Sequence, residues 1–459
     1  MLADDIAAIS TPPGEGGIAI IRLSGPGVIE KSRRFFKPRR AEYDINDRSA
    51  YSLTLGWITD REGEAIDEVL LGLMKAPHSY TGEDVVEINC HGGFVPARRC
   101  LERVLAEDIR PAQPGEFTRR AFLNGRLDLS QAEAVIDIIR AKSDKGLRLA
   151  LQQLEGKNAR YIAALEDGAT WINAVLEASL DFPDEVGEPD YDEIERRIDE
   201  MLKQLEQMLE AARRSQVYYE GVAVAICGKP NVGKSSWLNI LLQKEKAIVT
   251  EIPGTTRDVI EDYVNIRGIP VRLMDTAGIR ASDEPVEKIG VERSFQVMAR
   301  ADLVILMLDV QAGITEEDMR IREMVGCDRL IVMVNKEDLE DKNIEEKTLR
   351  ELFPGVKVIH GSAREMSGLE QLEAAIEETV LSGQLGTDDL ELMVNARQRS
   401  LLERALRHLE DTRAALRSAS LDCLAVDTMA ALEALGEISG KNLKEEAIDR
   451  IFHEFCIGK

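Results

Sequence analysis

The feature that most constrains this chain is the octapeptide GKPNVGKS at residues 228–235, which directly follows the apolar run GVAVAIC. The pattern G-x-x-x-x-G-K-[ST] between a strand and a helix predicts a phosphate-binding loop, because backbone N–H groups of the turn and the helix N-terminus surround an anion. The next residues, SWLNILLQ, are suited to a helix. A strand, loop and helix in this order indicate an α/β sheet.

Four further apolar runs follow this loop and alternate with helical segments. They are VRLMDTAG, DLVILMLDV, LIVMVNK and VKVIHGSA. Near-continuous apolar strands are typical of a mostly parallel sheet that is covered on both faces. The sequence therefore predicts a doubly covered sheet over about residues 217–382.

Polar motifs end these strands, where ligands of parallel sheets bind. Lys234 is expected to reach the β- and γ-phosphates, and the Ser235 hydroxyl is expected to ligate Mg²⁺. Asp338 of NKED can accept hydrogen bonds from the N–H edge of guanine, which adenine lacks. The four motifs GKPNVGKS, DTAG, NKED and GSA occur in this order along the chain, and together they predict a Ras-like GTP site. The predicted nucleotide-binding residues of these motifs are Asn231, Val232, Gly233, Lys234, Ser235, Ser236, Asp275, Thr276, Ala277, Gly278, Asn335, Lys336, Asp338, Ser362 and Ala363.

The segment IPGTTRD at 252–258 is the candidate switch loop, and Thr256 is its candidate Mg²⁺ and nucleotide ligand. The position after DTAG, where Ras-like proteins usually place a water-orienting glutamine, is Ile279. Another group must therefore orient water and stabilise the developing charge.

Helical sequence flanks the predicted sheet on both sides. In residues 191–214 the apolar positions have one-face helical spacing, and residues after about 383 return to the same periodicity. Residues 1–118 instead contain strand-like runs at 18–25, 68–74 and 84–90. The predicted domains are 1–118, a helical domain formed by 119–216 and 383–459, and an inserted nucleotide domain at 217–382.

Composition excludes several classes of protein. The chain has 58 lysines and arginines and 83 acidic residues, a net charge of −25, which is unsuited to a broad basic nucleic-acid surface. Its six cysteines form no C-x-x-C pair, which favours reduced thiols. The acidic N-terminus does not resemble a signal peptide, and the apolar runs are too short for a membrane span. We expect a cytoplasmic protein without membrane contact.

Several segments together resemble one family. They are STPPGEGGIAIIRLSG, PGEFTRRAFLNGRLDLSQAEA, GKPNVGKSS, IPGTTRD, DTAGIR with EKIGVERS, and the final CIGK. They are similar end to end to the MnmE (TrmE) family of tRNA-modification GTPases. The resemblance implies α/β plus all-α architecture, with an N-terminal α/β folate-binding domain that dimerises, a helical domain, and an inserted Ras-like P-loop G domain with a mostly parallel sheet.

The resemblance also implies a K⁺ ion beside the phosphates. The matching K⁺ positions are Asn231, Thr250, Ile252 and Thr255, and Thr250 and Thr255 would also contact the nucleotide. Two G domains would meet transiently across this loop when GTP is bound. Glu287 matches the family's water-orienting catalytic carboxylate, although the residue alone is more simply interpreted as an exposed helix glutamate.

The family's folate-binding positions correspond to Arg22, Glu87, Arg126 and Lys459. Glu87 lies inside the apolar run DVVEINC, where an acid is expected to have a partner. Cys456 lies just outside the apolar face of the last helix, so we expect it to be accessible. A role in modification chemistry and an inert packed thiol both stay open for it.

The function implied is a homodimeric, K⁺-dependent GTPase that acts on tRNA with a flavoprotein of the MnmG/GidA type. With FAD and NADH on that partner and methylene-tetrahydrofolate as carbon donor, the pair would modify the wobble uridine with an aminomethyl or carboxymethylaminomethyl group. Two alternatives remain. One is a ribosome-assembly switch of the Era or Der type, and the other is a stand-alone folate-dependent aminomethyltransferase that GTP only regulates.

Overall fold

The computed structural model describes residues 4–40, 50–244, 263–275, 297–381, 392–443 and 445–459. The strands are β1 Ile6–Ile9, β2 Ile18–Ser24, β3 Phe36–Pro38, β4 Ser52–Thr59, β5 Ala65–Met74, β6 Val85–His91, β7 Arg110–Pro111, β8 Val222–Cys227, β9 Tyr263–Ile266, β10 Ile269–Asp275, β11 Leu303–Asp309, β12 Leu330–Asn335 and β13 Lys357–His360.

Among the described residues, helices alternate with strands between β1 and β7 and between β8 and β13, and the other segments contain helices without strands. They are α1 Val28–Ser32, α2 Phe94–Leu105, α3 Glu116–Leu123, α4 Leu129–Arg140, α5 Asp144–Leu154, α6 Lys157–Asp181, α7 Pro183–Val186, α8 Tyr191–Glu220, α9 Lys234–Lys244, α10 Glu316–Val325, α11 Glu346–Leu352, α12 Leu369–Val380, α13 Ala396–Ala415, α14 Leu421–Ser439 and α15 Glu445–His453.

The N-terminal part is a seven-stranded sheet in the order β3-β4-β5-β6-β2-β1-β7. Its ladders are antiparallel except for the short β1–β7 pair. Alternate residues of β2, β5 and β6 enter a core that also contains residues of α2. The three strands predicted in this region are confirmed, and β2 pairs with β6 so that Arg22 lies opposite Glu87.

The central part is a six-stranded sheet in the order β13-β12-β11-β8-β10-β9. All neighbours are parallel except the edge strand β9, which pairs antiparallel with β10. The described residues of β8, β11 and β12 are almost entirely buried, and one apolar core lies against each face of the sheet. The predicted parallel, doubly covered sheet is confirmed.

Four long helices, α6, α8, α13 and α14, pack around one apolar core. The predicted apolar face of α8 points into it, with Ile194, Ile198 and Leu205 fully buried. Because α6 and α8 precede the central sheet and α13 and α14 follow it, the sheet is inserted into a single helical unit. Across the described ranges, no helix combines the length and apolarity that crossing a bilayer requires.

The segment after α15 returns to the N-terminal sheet. Ser10 Oγ donates to Gly458 O at 3.0 Å, and Phe117 N donates to Lys459 O at 3.2 Å. Two predicted limits fall inside helices, since α3 begins before residue 119 and α8 continues past residue 216. The division into domains stays a prediction, but the polypeptide that connects them is helical at both points.

Candidate functional sites

The loop between β8 and α9 has the backbone of an anion cradle. Gly228, Asn231 and Gly233 have φ values of 135°, 64° and 104°, in the left-handed region where glycine is favoured. A Cβ on Gly228 would lie 2.4 Å from Met307 O, and one on Gly233 would lie 2.2 Å from Asn335 Nδ2. Both positions therefore require glycine, and their backbone N–H groups can approach a phosphate closely.

The P-loop lysine lies at the start of α9. Lys234 Nζ donates to the carbonyl oxygens of Gly228 and Lys229 at 2.7 and 2.6 Å, so the ammonium group lies across the loop. Ser235 and Ser236 are exposed on the first turn of α9, and Val232 is buried beneath it. The cation and the two hydroxyls are thus on the accessible side of a helix N-terminus, a fit for phosphate with Mg²⁺.

Asn335, at the end of β12, joins three segments of this site and is only 2% exposed. Its Nδ2 donates to Val232 O at 2.7 Å. Its Oδ1 accepts from Trp237 Nε1 at 3.0 Å and from Ala363 N at 3.1 Å. The side chain that we predicted as nucleotide-binding therefore bonds the P-loop, α9 and the loop after β13 to one another.

The predicted base-recognition residues lie side by side. Asp338 is 10% exposed, and its Oδ1 accepts from Ser362 Oγ at 2.6 Å. That hydrogen bond lowers the pKa of Asp338, with a smaller contribution from Arg364. Lys336 Nζ pairs with Asp309 at 2.6 Å. A carboxylate kept ionised and positioned by a neighbour suits an N–H donor edge such as that of guanine.

Asp275 is the last residue of β10 and pairs with Ile226 of β8, so the DTAG motif begins next to the P-loop. The other predicted switch residues fall outside the described ranges, and their roles remain predictions. They are Thr250, Ile252, Thr255, Thr256, Thr276, Ala277, Gly278 and Glu287.

A second cluster brings the predicted folate residues together in the N-terminal part. Arg22 Nε donates to Glu87 Oε1 at 2.9 Å, which supplies the partner expected for this acid. The guanidinium groups of Arg22 and Arg126 lie 5.3 and 5.1 Å from the centroid of the Tyr80 ring. The two guanidinium groups, the carboxylate and the aromatic ring converge on one small region.

Lys459 completes this cluster from the other end of the chain. Burial lowers the pKa of Lys459, Arg22 adds to that effect, and Glu87 opposes it. Arg22 Nη1 also donates to Gly458 O at 3.3 Å. Cys456 is exposed, as predicted, but the last helix ends at His453, so Cys456 lies beyond the helix and not beside its apolar face.

Sequence reasoning missed two aromatic residues of this cluster, Tyr80 and Phe117. Tyr80 lies in a polar turn between β5 and β6, and its hydroxyl shares a 2.8 Å hydrogen bond with Thr118. Phe117 is fully buried, and its ring centroid is 5.7 Å from Arg22 Cζ. The one available signal was an aromatic residue among polar turn residues, which is a weak indication of a binding surface.

The central sheet, the glycine-dependent phosphate loop and the paired Asp338 and Ser362 define a guanine-nucleotide-binding protein of the P-loop class. In this class GTP is bound at the carboxyl ends of parallel strands, where all of these residues lie.

Comparison with known proteins extends the assignment to the whole chain. A family model described as the MnmE helical domain matches residues 129–456, and one described as the GTP-binding protein TrmE N-terminus matches residues 5–126. The tRNA modification GTPase MnmE of Syntrophomonas wolfei is 63% identical over 459 residues, which covers 100% of both chains. The protein of that name from Carboxydothermus hydrogenoformans is 46% identical over 469 residues, again with 100% of both covered.

Among solved structures, the G domain of the T. maritima FeoB iron transporter is 30% identical over 34% of this chain and 98% of its own, with a TM-score of 0.26. The assignment depends on the full-length relatives and not on this likeness. The chain belongs to the MnmE (TrmE) family, and it is a GTPase of tRNA modification.

Proposed function

We propose that this cytoplasmic GTPase is activated by K⁺ and modifies the wobble uridine of tRNA together with a flavoprotein of the MnmG/GidA type. The observation that supports this proposal is the presence of two chemically different sites on one chain. One is a phosphate loop with a guanine-selective carboxylate. The other is a cationic and aromatic cluster suited to a pterin with an anionic tail.

The folate part of the proposal depends on Arg22, Glu87, Arg126 and Lys459. A carboxylate is a suitable acceptor for the N–H groups of a pterin, and cationic side chains are suitable partners for the glutamate tail of folate. Bound methylene-tetrahydrofolate would supply the one-carbon unit. The residues of this chain would bind and orient it, since Arg22 and Arg126 lie over one aromatic ring, that of Tyr80, and Glu87 pairs with Arg22.

The metal part of the proposal depends on the P-loop. Ser235 would ligate Mg²⁺ together with Thr256, and Asn231 would ligate K⁺ together with Thr250, Ile252 and Thr255. Asn231 is exposed and has the left-handed backbone that places it at the bend of the loop. A monovalent cation there would supply the positive charge that an arginine finger supplies in other GTPases. Glu287 is the proposed water-orienting group, and Cys456 the proposed reactive thiol.

The homodimer part of the proposal is supported by an apolar surface on the N-terminal sheet. Leu53, Leu55, Trp57 and Leu70 are 38–62% exposed. The first three alternate along β4 with inward-facing residues, and Leu55 lies directly opposite Leu70 of β5. An exposed apolar sheet face of this kind suits a second copy of the chain. The two G domains would then meet only transiently, when GTP is bound.

The full-length relatives are tRNA modification GTPases, so the ribosome-assembly alternative has no observation in its favour. The stand-alone aminomethyltransferase alternative differs from the proposal because it requires no flavoprotein. Purified protein with tRNA, GTP, methylene-tetrahydrofolate and an amine should modify the wobble uridine only when the flavoprotein, FAD and NADH are added. Product without the flavoprotein would support the alternative.

The decisive experiment is mass spectrometry of wobble nucleosides in tRNA from cells that lack this protein. The modified uridine should be absent and should return with the wild-type gene. Arg22→Met should fail to restore it while still hydrolysing GTP, because only the folate cluster is altered. Arg98→Met is the matched control, since Arg98 is exposed on α2, where it pairs with the exposed Glu102 and lies 5.9 Å from the centroid of the exposed Phe94 ring. Unchanged tRNA in the deleted strain would refute the proposal.

The G-domain assignments are tested separately. GTP turnover should fall strongly when K⁺ is replaced by Na⁺, and equal rates in the two salts would remove the cation from the proposal. Asp338→Asn should weaken GTP binding and favour xanthosine triphosphate, because the amide offers a donor where guanine requires an acceptor. An unchanged preference for GTP would refute the assignment of Asp338.

A further inference from the structure

Three potential metal ligands meet beneath α2, in a part of the N-terminal core that none of the proposed functions uses. They are Asp67 of β5, Cys90 of β6 and Cys100 of α2. One carboxylate oxygen and the two sulfur atoms all lie within 4.8 Å of one another. Three secondary-structure elements that are separate in sequence therefore present their ligand atoms at a single point.

The chemistry of these donors is selective. Two thiolates and a carboxylate are ligands of zinc-class divalent cations, and they are poor ligands for Mg²⁺ and Ca²⁺, which prefer oxygen alone. Cys90 and Cys100 are 2% and 0% exposed, so the sulfur atoms are held by packing. Two buried thiols alone would be adequately explained as small core residues. The Asp67 carboxylate reaches them from a neighbouring strand, where two hydrogen bonds from His91 hold it beside the sulfur atoms.

The Cys90 thiol donates a hydrogen bond to Ala19 O at 3.3 Å. A bound divalent cation would displace the protons of both thiols, as it does in zinc–thiolate sites.

His91 is an outer partner of this cluster. Its Nδ1 lies 2.6 Å from Asp67 Oδ1, and its backbone N–H donates to Asp67 Oδ2 at 2.8 Å. The His91 side chain is 67% exposed. A carboxylate–histidine pair commonly orients a metal ligand.

We infer that Asp67, Cys90 and Cys100 bind one zinc-class divalent cation, which ties β5 and β6 to α2, with water as the remaining ligand. The proposed ion lies on the opposite face of β6 from Glu87, because residues 86, 88 and 90 are buried in the core while residue 87 faces the Arg22 cluster. The inferred site is therefore separate from the folate cluster and from the nucleotide site.

Co²⁺ titration of the reduced full-length protein tests this inference, because thiolate-bound Co²⁺ has a near-ultraviolet charge-transfer band. We expect saturation at one Co²⁺ per chain and loss of the band on addition of Zn²⁺. Cys90→Ser and Cys100→Ser should each weaken binding at least tenfold. Cys423→Ser is the matched control, since Cys423 is exposed on α14 and should leave the titration unchanged.

A second measurement uses only the wild-type chain, in case a serine variant fails to fold. Zn²⁺ should slow alkylation of Cys90 and Cys100 at least tenfold, as followed by peptide mass spectrometry, and should leave alkylation of Cys423 unaltered. Absence of stoichiometric binding would overturn the inference. Binding of Co²⁺ by either serine variant as tightly as by the wild-type chain would do the same, as would air oxidation of the two thiols to a disulfide at the same rate with and without Zn²⁺.

Discussion

Replacement of Asn335 by alanine is the sharpest test of how the nucleotide site is held together. The change removes three hydrogen bonds and leaves the Trp237 N–H and the Val232 carbonyl without partners in residues that are 1% and 3% exposed. Each buried polar group left unpaired costs about 1–3 kcal/mol, and the partly exposed amide of Ala363 adds about 1 kcal/mol. The expected loss in the free energy of unfolding of the G domain is therefore about 3–7 kcal/mol, about a hundredfold or more in the folding equilibrium.

Trp237 itself can report this change. The chain contains three tryptophans, so Trp57→Phe with Trp171→Phe leaves Trp237 as the only one, and its fluorescence follows unfolding of the G domain in denaturant. GTP affinity should fall as well, because the P-loop loses its contact with β12. Asn343→Ala is the control, since it removes one exposed hydrogen bond and should cost less than about 1 kcal/mol. A loss below about 1 kcal/mol for Asn335→Ala, with unchanged GTP affinity, would refute the reasoning.

Two further predictions concern buried charges. Burial raises the pKa of Asp137 from 3.8 to about 6. The protonated side chain therefore contributes fully to the free energy of unfolding below about pH 4, and this contribution of about 3 kcal/mol is lost as the pH rises through about 6. Asp137→Asn cannot ionise, so its melting temperature relative to wild type should rise between pH 5 and 7.5, and a constant difference would contradict this. Arg120 is fully buried with Glu83 and Glu116, so Arg120→Met should destabilise the N-terminal domain by about 3–5 kcal/mol, whereas Arg98→Met should change thermal unfolding little. Equal melting of the two arginine variants would show that the buried pairs contribute nothing specific.

The fold could be predicted where local pattern determines it. The buried strands β8, β11 and β12 have continuous apolar sequence, and α8 has one-face periodicity, so each was identified from a single window of residues. The nucleotide-binding motifs could also be predicted, because they stand where the parallel strands of the central sheet end. Glu87 was also identifiable, because an acid inside an apolar strand requires a partner.

Contacts between distant side chains could not be predicted in this way. Asn335 bonds to a carbonyl 103 residues away, and Arg22 of β2 meets Tyr80, which lies in the turn between β5 and β6. Neither contact produces a period or a composition signal. The meeting of Asp67 with Cys90 and Cys100 likewise depends on the β5–β6 register and on the placement of α2, which only the folded chain defines.

The return of residues 455–459 to the N-terminal sheet has a consequence for biosynthesis. The hydrogen bond between Ser10 and Gly458 joins groups 448 residues apart, so the ribosome must synthesise residue 458 before the cluster around Arg22 can be finished. The helical unit and the G domain can fold earlier, because their own contacts are made sooner, and they then bring the tail close to its target. The proposed folate site therefore forms only after residues 458 and 459 have been synthesised: a chain released before them could still contain a complete phosphate loop and yet lack Lys459.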